Sequence, residues 1–250
     1  MAESFKKIKS KGKKILNAIL PSKKGKIPVG RVDFGDLRRL QPIDPEYGYA
    51  RGKVIDRYYI EKFLELYAED VRGRVLEFSD DSYTKKYGGD KVKRSDVLHY
   101  VEGNPLATIV GDLTKADNLD SNSFDCIILT QTLQMIYDIR TSLKHLHRIL
   151  KPNGVLLATS HGTSKICRTA GVDPWGEYWR FTGQSSQMLF EEYFKPGHVK
   201  VEVYGNLLSA ISFLHGLAVQ DITEAELNYR DPKYEVIIGV RVLKEGVQAF

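Results

Sequence analysis

The segment Arg74-Val-Leu-Glu-Phe78, followed by Ser79-Asp-Asp-Ser82, decides how the rest of the chain is interpreted. Its first part is a short apolar run with an acidic residue near its end, a pattern typical of a buried strand. Its second part has the residue types that leave a strand and cap the next helix. Together they predict a strand-to-helix elbow of the kind that borders a nucleotide-sized pocket.

The same pattern occurs twice more, in Val92-Lys-Arg-Ser-Asp96 and in Ala107-Thr-Ile-Val-Gly-Asp112. Each of the three predicted strands therefore has a carboxylate at or near its end. In an open parallel sheet, ligands bind beyond the carboxyl ends of the strands, where the strand order reverses. We expect Glu77, Asp96 and Asp112 to line one crevice there.

Further strands and helices alternate along the chain. Phe124-Asp-Cys-Ile-Ile-Leu-Thr130 is nearly all apolar, which is typical of a strand buried on both faces. The other predicted strands are 155–160, 199–204 and 234–242, and the predicted helices are 54–70, 143–150, 185–194 and 207–219, with a turn at 151–154. This order predicts an α/β fold with a mostly parallel, seven-stranded sheet and helices on both faces.

The net charge of +5 is concentrated at one end of the chain. Residues 1–26 hold nine lysines and one glutamate, so this segment carries +8 and the rest carries −3. In a helix over residues 4–20, most apolar side chains would share one face beside the lysines. Two interpretations stay open: reversible contact with an anionic membrane surface or an acidic partner, or a solvated lysine tail.

Composition excludes several classes of protein. Cys126 and Cys167 have no metal-type spacing, so we expect no metal site and a reducing, cytoplasmic location, with the tail as a candidate for contact with the inner face of the membrane. No stretch has the length of a membrane-spanning helix or the pattern of a secretory signal. Nucleic acid is an unfavoured partner, because the basic charge is confined to the tail. Oligomeric state is open.

Over roughly residues 54–160 these motifs resemble those of a class I methyltransferase that uses S-adenosylmethionine (SAM), in the group with the type 11 methyltransferase domain. The resemblance rests on the first-strand motif 74–77, Ser95-Asp96, Gly111-Asp112-Leu113, the segment 123–133 and Leu146-His-Arg-Ile-Leu-Lys-Pro-Asn-Gly-Val-Leu-Leu157, which occur in the family's order. Flanking motifs such as Tyr178-Trp-Arg-Phe-Thr182 are similar to a bacterial branch associated with glycan assembly. The resemblance implies a Rossmann-like fold.

The resemblance also implies an organisation of the chain. Residues 1–30 would be a basic amphipathic tail and linker, and residues 31–250 a single domain. Within that domain we expect an N-terminal cover (31–70), a cofactor-binding core (71–160) and an acceptor-side region with the last strands (161–250).

The resemblance implies a role for each of several residues. Glu77 would start the cofactor loop, Asp96 would hold the ribose hydroxyls, and Asp112 with Leu113 would flank the adenine. Thr130 and Gln131 would lie under the methionine end of the cofactor. For each acid, the alternative is a strand-end residue that caps a helix or contacts water.

One departure from the family pattern concerns the loop after the first strand. The family has a glycine-rich loop there, because the backbone must approach the cofactor closely. The segment 77–82 has no glycine, and Ser79 is the small residue that could replace it in part. A protein that keeps the fold without catalysis, as a binding protein, is therefore an alternative to the enzyme.

The chemistry depends on the acceptor. Transfer to a hydroxyl needs a base, and His161 is the candidate, because it directly follows the predicted fifth strand and should lie at the mouth of the crevice. The alternative is a partly exposed loop histidine. Tyr178 and Arg180 are further candidates on the acceptor side, where the aromatic stretch could equally be core packing. We expect O-methylation of a glycan or other small metabolite, and a nicotinamide dehydrogenase is disfavoured by the missing G-x-G-x-x-G motif.

Overall fold

The computed structural model describes residues 27–168 and 171–246. The predicted basic helix at 4–20 lies outside these residues. The chain up to Ile43 forms one unit and the chain from Asp44 onward a second unit. This division falls inside the predicted cover at 31–70. In the first unit, a 3-10 turn spans Gly35–Leu37, and the Asp33 carboxylate accepts a hydrogen bond from the Gly35 N–H.

The second unit contains a seven-stranded sheet with the order β3-β2-β1-β4-β5-β7-β6. Its strands are β1 (Gly73–Phe78), β2 (Val92–His99), β3 (Ile109–Val110), β4 (Phe124–Thr130), β5 (Leu150–His161), β6 (Val199–Tyr204) and β7 (Ile237–Leu243). The pairs β1–β2, β1–β4, β2–β3 and β4–β5 are parallel, and β7 is antiparallel to both β5 and β6. The predicted fold class is confirmed.

Among the residues that the structure describes, the second unit has five α-helices: α1 (Ile55–Leu66), α2 (Ile139–Ile149), α3 (Gly183–Glu191), α4 (Leu207–Leu214) and α5 (Glu224–Asn228). Short helical turns span Thr84–Gly88, Leu113–Asn118 and Leu133–Met135, among others. None of the helices within residues 27–168 and 171–246 combines the length and the apolar character that a bilayer span requires.

The period of two along each strand divides the core between the two faces of the sheet. In β4, Ile127 and Leu129 point toward α2, where Leu143 and Leu146 cover them. Cys126 and Ile128 point to the opposite face, which is covered by α1, α4 and α5. On that face, Gly239 of β7 lies directly beneath α1, and a Cβ there would come within 2.4 Å of the Phe63 ring. Both faces are therefore dry, as the apolar run of β4 predicted.

Several predicted boundaries differ from the structure, among them the turn at 151–154 and the end of the second strand. The segment 151–154, predicted as a turn, lies inside β5. Opposite it, the pairing register shifts between Phe124 and Cys126 of β4, which marks a bulge in this pair of strands. The second strand was predicted to end at Asp96, but β2 continues to His99 because His99 pairs with Val110. Asp96 therefore lies within the strand.

Asp96 is buried and holds two arginines. Its carboxylate accepts hydrogen bonds from Arg74 (2.7 Å) and Arg94 (2.9 Å), and only 1% of the residue is exposed. Burial raises its pKa, but the bonds from Arg74 and Arg94 outweigh that effect and hold the pKa below its usual value. The stabilisation is therefore present at neutral pH and is lost as the pH falls through this lowered pKa.

We expect Asp96→Ala to lower the free energy of unfolding by about 1–3 kcal/mol, because it removes charge-assisted bonds and leaves Arg74 without its carboxylate. The control is Asp90→Ala at an exposed position, which should change stability by less than about 0.5 kcal/mol. Urea unfolding at pH 7 measures both. Equal stability of the Asp96→Ala and Asp90→Ala proteins would contradict a structural role for Asp96.

Candidate functional site

A cavity of about 790 Å³ opens at the carboxyl ends of β1, β2 and β4. The strand order reverses between β1 and β4, so the cavity lies at the position where ligands bind in open α/β sheets. Its volume is in the range of small-molecule sites. Much of its wall comes from the ends of strands and the segments after them: residues 77–80, 98–100, 111–114 and 130–132.

Glu77, the penultimate residue of β1, lies on this wall with 2% of its surface exposed. Its carboxylate accepts hydrogen bonds from the backbone N–H groups of Tyr83 (3.1 Å) and Thr84 (2.7 Å). Burial raises the pKa of Glu77 to about 7, although the bonds from Thr84 and Tyr83 act in the opposite direction. Glu77 thus holds the turn after the loop and contributes a carboxyl group that titrates near neutral pH.

Ser79 directly follows β1, in the loop where the sequence resemblance implies glycine. Its φ is 74°, in the left-handed region that costs a residue with a Cβ about 1–2 kcal/mol. The Ser79 N–H donates to the Leu98 carbonyl (3.0 Å), and its own carbonyl accepts from the Asn104 side chain (2.6 Å). The loop without glycine therefore keeps a glycine-like turn at the cavity wall, fixed to the end of β2.

The predicted ribose-binding role of Asp96 does not fit this geometry. The described residues that line the cavity do not include Asp96, which lies three residues before the end of β2. The end of β2 contributes His99 and Tyr100 instead, and His99 Nδ1 lies 2.7 Å from the Val101 carbonyl oxygen. The strand end opposite Ser79 therefore offers an imidazole and a phenol rather than a carboxylate.

Asp112 and Leu113 both line the cavity, as the sequence predicted for their position. Asp112 precedes the turn Leu113–Asn118, and its Oδ1 accepts bonds from the N–H and the hydroxyl of Thr114, both 2.8 Å long. Because these bonds use Oδ1, Oδ2 is the oxygen of this carboxylate that a ligand can bind.

Thr130 and Gln131 lie at the end of β4 on the same wall. Gln131 has a φ of 50°, so it is a second non-glycine residue in the left-handed region beside the cavity. Its backbone N–H donates to the Thr159 carbonyl (2.8 Å), and its side-chain Nε2 donates to the Thr159 hydroxyl (3.2 Å). Gln131 is thus held against β5.

His161 is not at the cavity mouth, so its predicted position was wrong. It is the last residue of β5, pairs with Ile237 of β7 and is 3% exposed. Its Nε2 lies 3.6 Å from Asp56 Oδ2, and the described lining residues do not include it. A side chain enclosed in this way cannot meet an acceptor in the cavity directly, and His161 is not a base there.

The segment after β5 supplies an aromatic wall. Tyr178 and Trp175 line the cavity together with Tyr137, and Tyr137 stacks on Trp179 with ring centroids 5.9 Å apart. Arg180 lies apart from the described wall: its guanidinium pairs with Glu177 and donates to backbone carbonyls. Tyr178 is therefore on the site, whereas Arg180 holds the loop.

A basic edge was missed as a site feature. Arg57 of α1 and Lys86 both line the cavity, and Arg57 donates to the Tyr83 hydroxyl at 3.3 Å, while Lys86 pairs with Glu61 at 2.7 Å. The cavity wall thus combines carboxylates at the strand ends with two cations, one from α1 and one from the turn Thr84–Gly88.

Comparisons with known proteins agree with this geometry. Residues 60–158 match the methyltransferase domain family Methyltransf_11. A SAM-dependent methyltransferase of known structure from Archaeoglobus fulgidus aligns over 75% of this chain and 94% of its own, with 12% identity and a TM-score of 0.51. The enzyme class predicted from the sequence, a methyltransferase, is confirmed, and the structural likeness shows the fold.

One curated protein is also similar in sequence. A xanthine phosphoribosyltransferase from Laribacter hongkongensis (strain HLHK9) is 21% identical over 183 residues, which cover 65% of this chain and 88% of that protein. At this identity, the activity in its name is a property of that protein.

Ser79 gives a test of the glycine-like turn. We expect Ser79→Gly to change the free energy of unfolding by less than about 1 kcal/mol, because relief of the left-handed conformation offsets the greater freedom of the unfolded chain. Ser79→Val should cost about 2 kcal/mol or more, because a β-branched residue is disfavoured there. Urea unfolding measures both, with Ser79→Ala as the control for loss of the hydroxyl. A valine protein as stable as the alanine protein would rule out the strained turn.

Proposed function

We propose that this chain, which carries a methyltransferase domain, transfers a methyl group from SAM to a hydroxyl of a glycan or other small metabolite. The observation that carries the proposal is the cavity at the β1/β4 reversal, whose wall lies largely within the matched residues 60–158. Such a cavity is the expected site of a nucleoside-type ligand in a sheet of this order.

The charges of the wall support SAM as the cofactor. SAM carries a carboxylate, an ammonium and a sulfonium, so its site needs groups of both signs. Arg57 and Lys86 would hold the carboxylate, Glu77 would hold the ammonium, and Asp112 Oδ2 would accept from the adenine amine. The turn at Ser79 would let the backbone approach the cofactor closely. When bound, SAM supplies a methyl group that is already activated for displacement.

The ribose would be held in an unusual way. His99 and Tyr100 lie at the end of β2, where the family has a carboxylate. An imidazole nitrogen and a phenol can each exchange a hydrogen bond with a ribose hydroxyl, without the charge that a carboxylate adds. We therefore expect weaker ribose binding than a carboxylate gives.

The aromatic wall supports an acceptor with a flat or apolar face, such as a sugar ring. Tyr137, Trp175 and Tyr178 offer ring faces and edges, and the Tyr178 hydroxyl can bond to an acceptor hydroxyl. Alignment of the acceptor with the methyl group in a pocket that excludes water supplies much of the acceleration in such a displacement. His161 would act on this chemistry only through other residues.

A non-catalytic binding protein is the second candidate. Two observations favour it: the first loop has no glycine, and the end of β2 provides no carboxylate to the described wall. Both features lower the expected affinity for SAM without closing the cavity. Measurements of binding and of methyl transfer separate the two candidates.

Calorimetry with SAM tests the cofactor. We expect binding by the wild-type protein and about tenfold weaker binding by Asp112→Asn, equivalent to ~1.4 kcal/mol, because asparagine keeps the cap on Thr114 but removes the charge. Asp96→Ala is the matched control and should leave the affinity unchanged, since Asp96 is outside the described wall. Absence of any binding heat would overturn the proposal. Binding of SAM without transfer to a panel of sugar and small-molecule hydroxyls would favour the binding protein.

The raised pKa of Glu77 predicts that SAM affinity and folding stability depend on pH. Its pKa is raised to about 7, so the carboxyl is neutral below that pH and charged above it. Affinity for the cationic groups of SAM should therefore rise between pH 6 and pH 8, and Glu77→Gln should flatten this rise.

The free energy of unfolding should change in the opposite sense, because a raised pKa stabilises the fold at low pH and this contribution is lost as the pH rises through 7. Calorimetry and urea unfolding across this range check both signs.

A further inference from the structure

Behind the cavity wall, four polar side chains form a row that leads away from Gln131. Gln134 Nε2 donates to Gln131 Oε1 at 3.0 Å and lies 3.5 Å from His161 Nδ1. On the other side of the ring, His161 Nε2 faces Asp56 Oδ2 at 3.6 Å. Gln134 is 0% exposed, His161 3% and Asp56 8%. The row is therefore sealed from water except where Gln131 meets the cavity.

The Asp56 carboxylate at the end of the row favours one donor-to-acceptor order of the contacts along it. The 3.6 Å between His161 Nε2 and Asp56 Oδ2 is a charge contact longer than a hydrogen bond, and a carboxylate at that position favours the tautomer with the proton on Nε2. The other nitrogen, Nδ1, is then a lone pair and needs a donor, which Gln134 Nε2 provides. That orientation of Gln134 also directs an N–H toward Gln131 Oε1, and the remaining Gln131 amide donates to Thr159. A protonated ring would oppose one N–H to another at Gln134.

We propose that His161, whose Nε2 faces Asp56, is a positioning residue that orients Gln134 and, through it, the Gln131 amide at the cavity wall. The left-handed backbone of Gln131 supports this role, because a strained residue beside a site persists only when its surroundings hold it. The row gives a function to His161 that does not require contact with the acceptor. Its effect on catalysis rests on the proposed methyl transfer.

Three buried atoms of the row are unpaired in the described part of the chain. Within the described residues, Asp56 Oδ1, His161 Nε2 and Gln134 Oε1 have no hydrogen-bond partner. Reversal of the Gln134 amide would bring its oxygen against the Nδ1 lone pair and would remove the donor to Gln131. Both groups are buried, so this repulsion would be little screened. The observed orientation is thus the one compatible with a carboxylate at Asp56.

The first experiment is a ¹⁵N–¹H correlation spectrum of the histidine side chains in the full chain. His161→Phe identifies the His161 signals among those of the six histidines. We expect a neutral ring protonated at Nε2, and Asp56→Asn should reduce this preference, because asparagine can offer a donor to that nitrogen. His198→Gln, in the loop before β6, is the control that should leave the His161 signals unchanged. A ring protonated at Nδ1 in the wild-type protein would overturn the proposal.

The second experiment tests the connection to the cavity with S-adenosylhomocysteine (SAH). Addition of SAH should shift the His161 signals although His161 is outside the described wall, and Gln131→Ala should abolish that shift while SAH still binds. A shift of equal size in Gln131→Ala would contradict transmission through Gln131. If calorimetry detects no SAH binding at all, the proposed function fails, whereas the tautomer experiment still decides the row itself.

A third measurement applies once an acceptor is found. His161→Phe, which keeps the ring volume, should lower kcat by about tenfold or more with KM unchanged, since small displacements of positioning groups have large effects on rate. His161→Gln, which can both accept from Gln134 and donate to Asp56, should restore most of the loss. The double variant His161→Phe/Gln131→Ala should be no slower than Gln131→Ala. Additive losses would indicate that His161 acts independently of Gln131.

Discussion

The reversal of strand order between β1 and β4 is the constraint on which the cavity depends. The two strands are parallel neighbours, and their connections leave in different directions, so the space beyond their carboxyl ends is open. The first residue after each strand, Ser79 and Gln131, has a positive φ without being glycine. Both line the cavity. The sharp turns that the topology demands are therefore also the places where the backbone approaches a ligand, and the strain they carry lies at the site.

Three buried carboxylates show how hydrogen bonding separates structural from functional acids. Asp96 is satisfied by two arginine side chains, so its oxygens are committed to the fold. Glu77 accepts hydrogen bonds from backbone N–H groups and lies on the cavity, so burial raises its pKa and leaves it responsive to a bound cation. Asp56 faces the edge of an imidazole and imposes a direction on its neighbours. A buried acid needs partners, and the identity of those partners determines its role.

The sequence predicted correctly the features that depend on consecutive residues. It misled where a strand end depends on pairing with a distant segment. The apolar run of β4 and the elbow after β1 could be predicted because each depends on consecutive residues. Asp96 and His161 were misplaced because both strands continue beyond the predicted ends. His99 pairs with Val110, and His161 pairs with Ile237, a residue 76 positions later in the chain. Such partners leave no trace in the few residues around the strand end. Asp96, which lies inside β2, and His161, which is buried as the last residue of β5, were therefore each predicted at the open end of a strand.

Gln134 connects the two halves of the site. Its side chain contacts Gln131 on the cavity wall and His161 behind it, while its backbone carbonyl accepts bonds from the N–H groups of Tyr178 (2.8 Å) and Trp179 (3.3 Å). The turn after β4, which would meet the methyl donor, and the aromatic wall, which would meet the acceptor, are therefore held by a single residue with 0% exposure. A shift of the aromatic wall must either move Gln134 or break these bonds. Because the Gln134 amide also fixes Gln131, the orientation of the acceptor side and that of the donor side are mechanically linked, which is the arrangement that an in-line displacement between two bound groups requires.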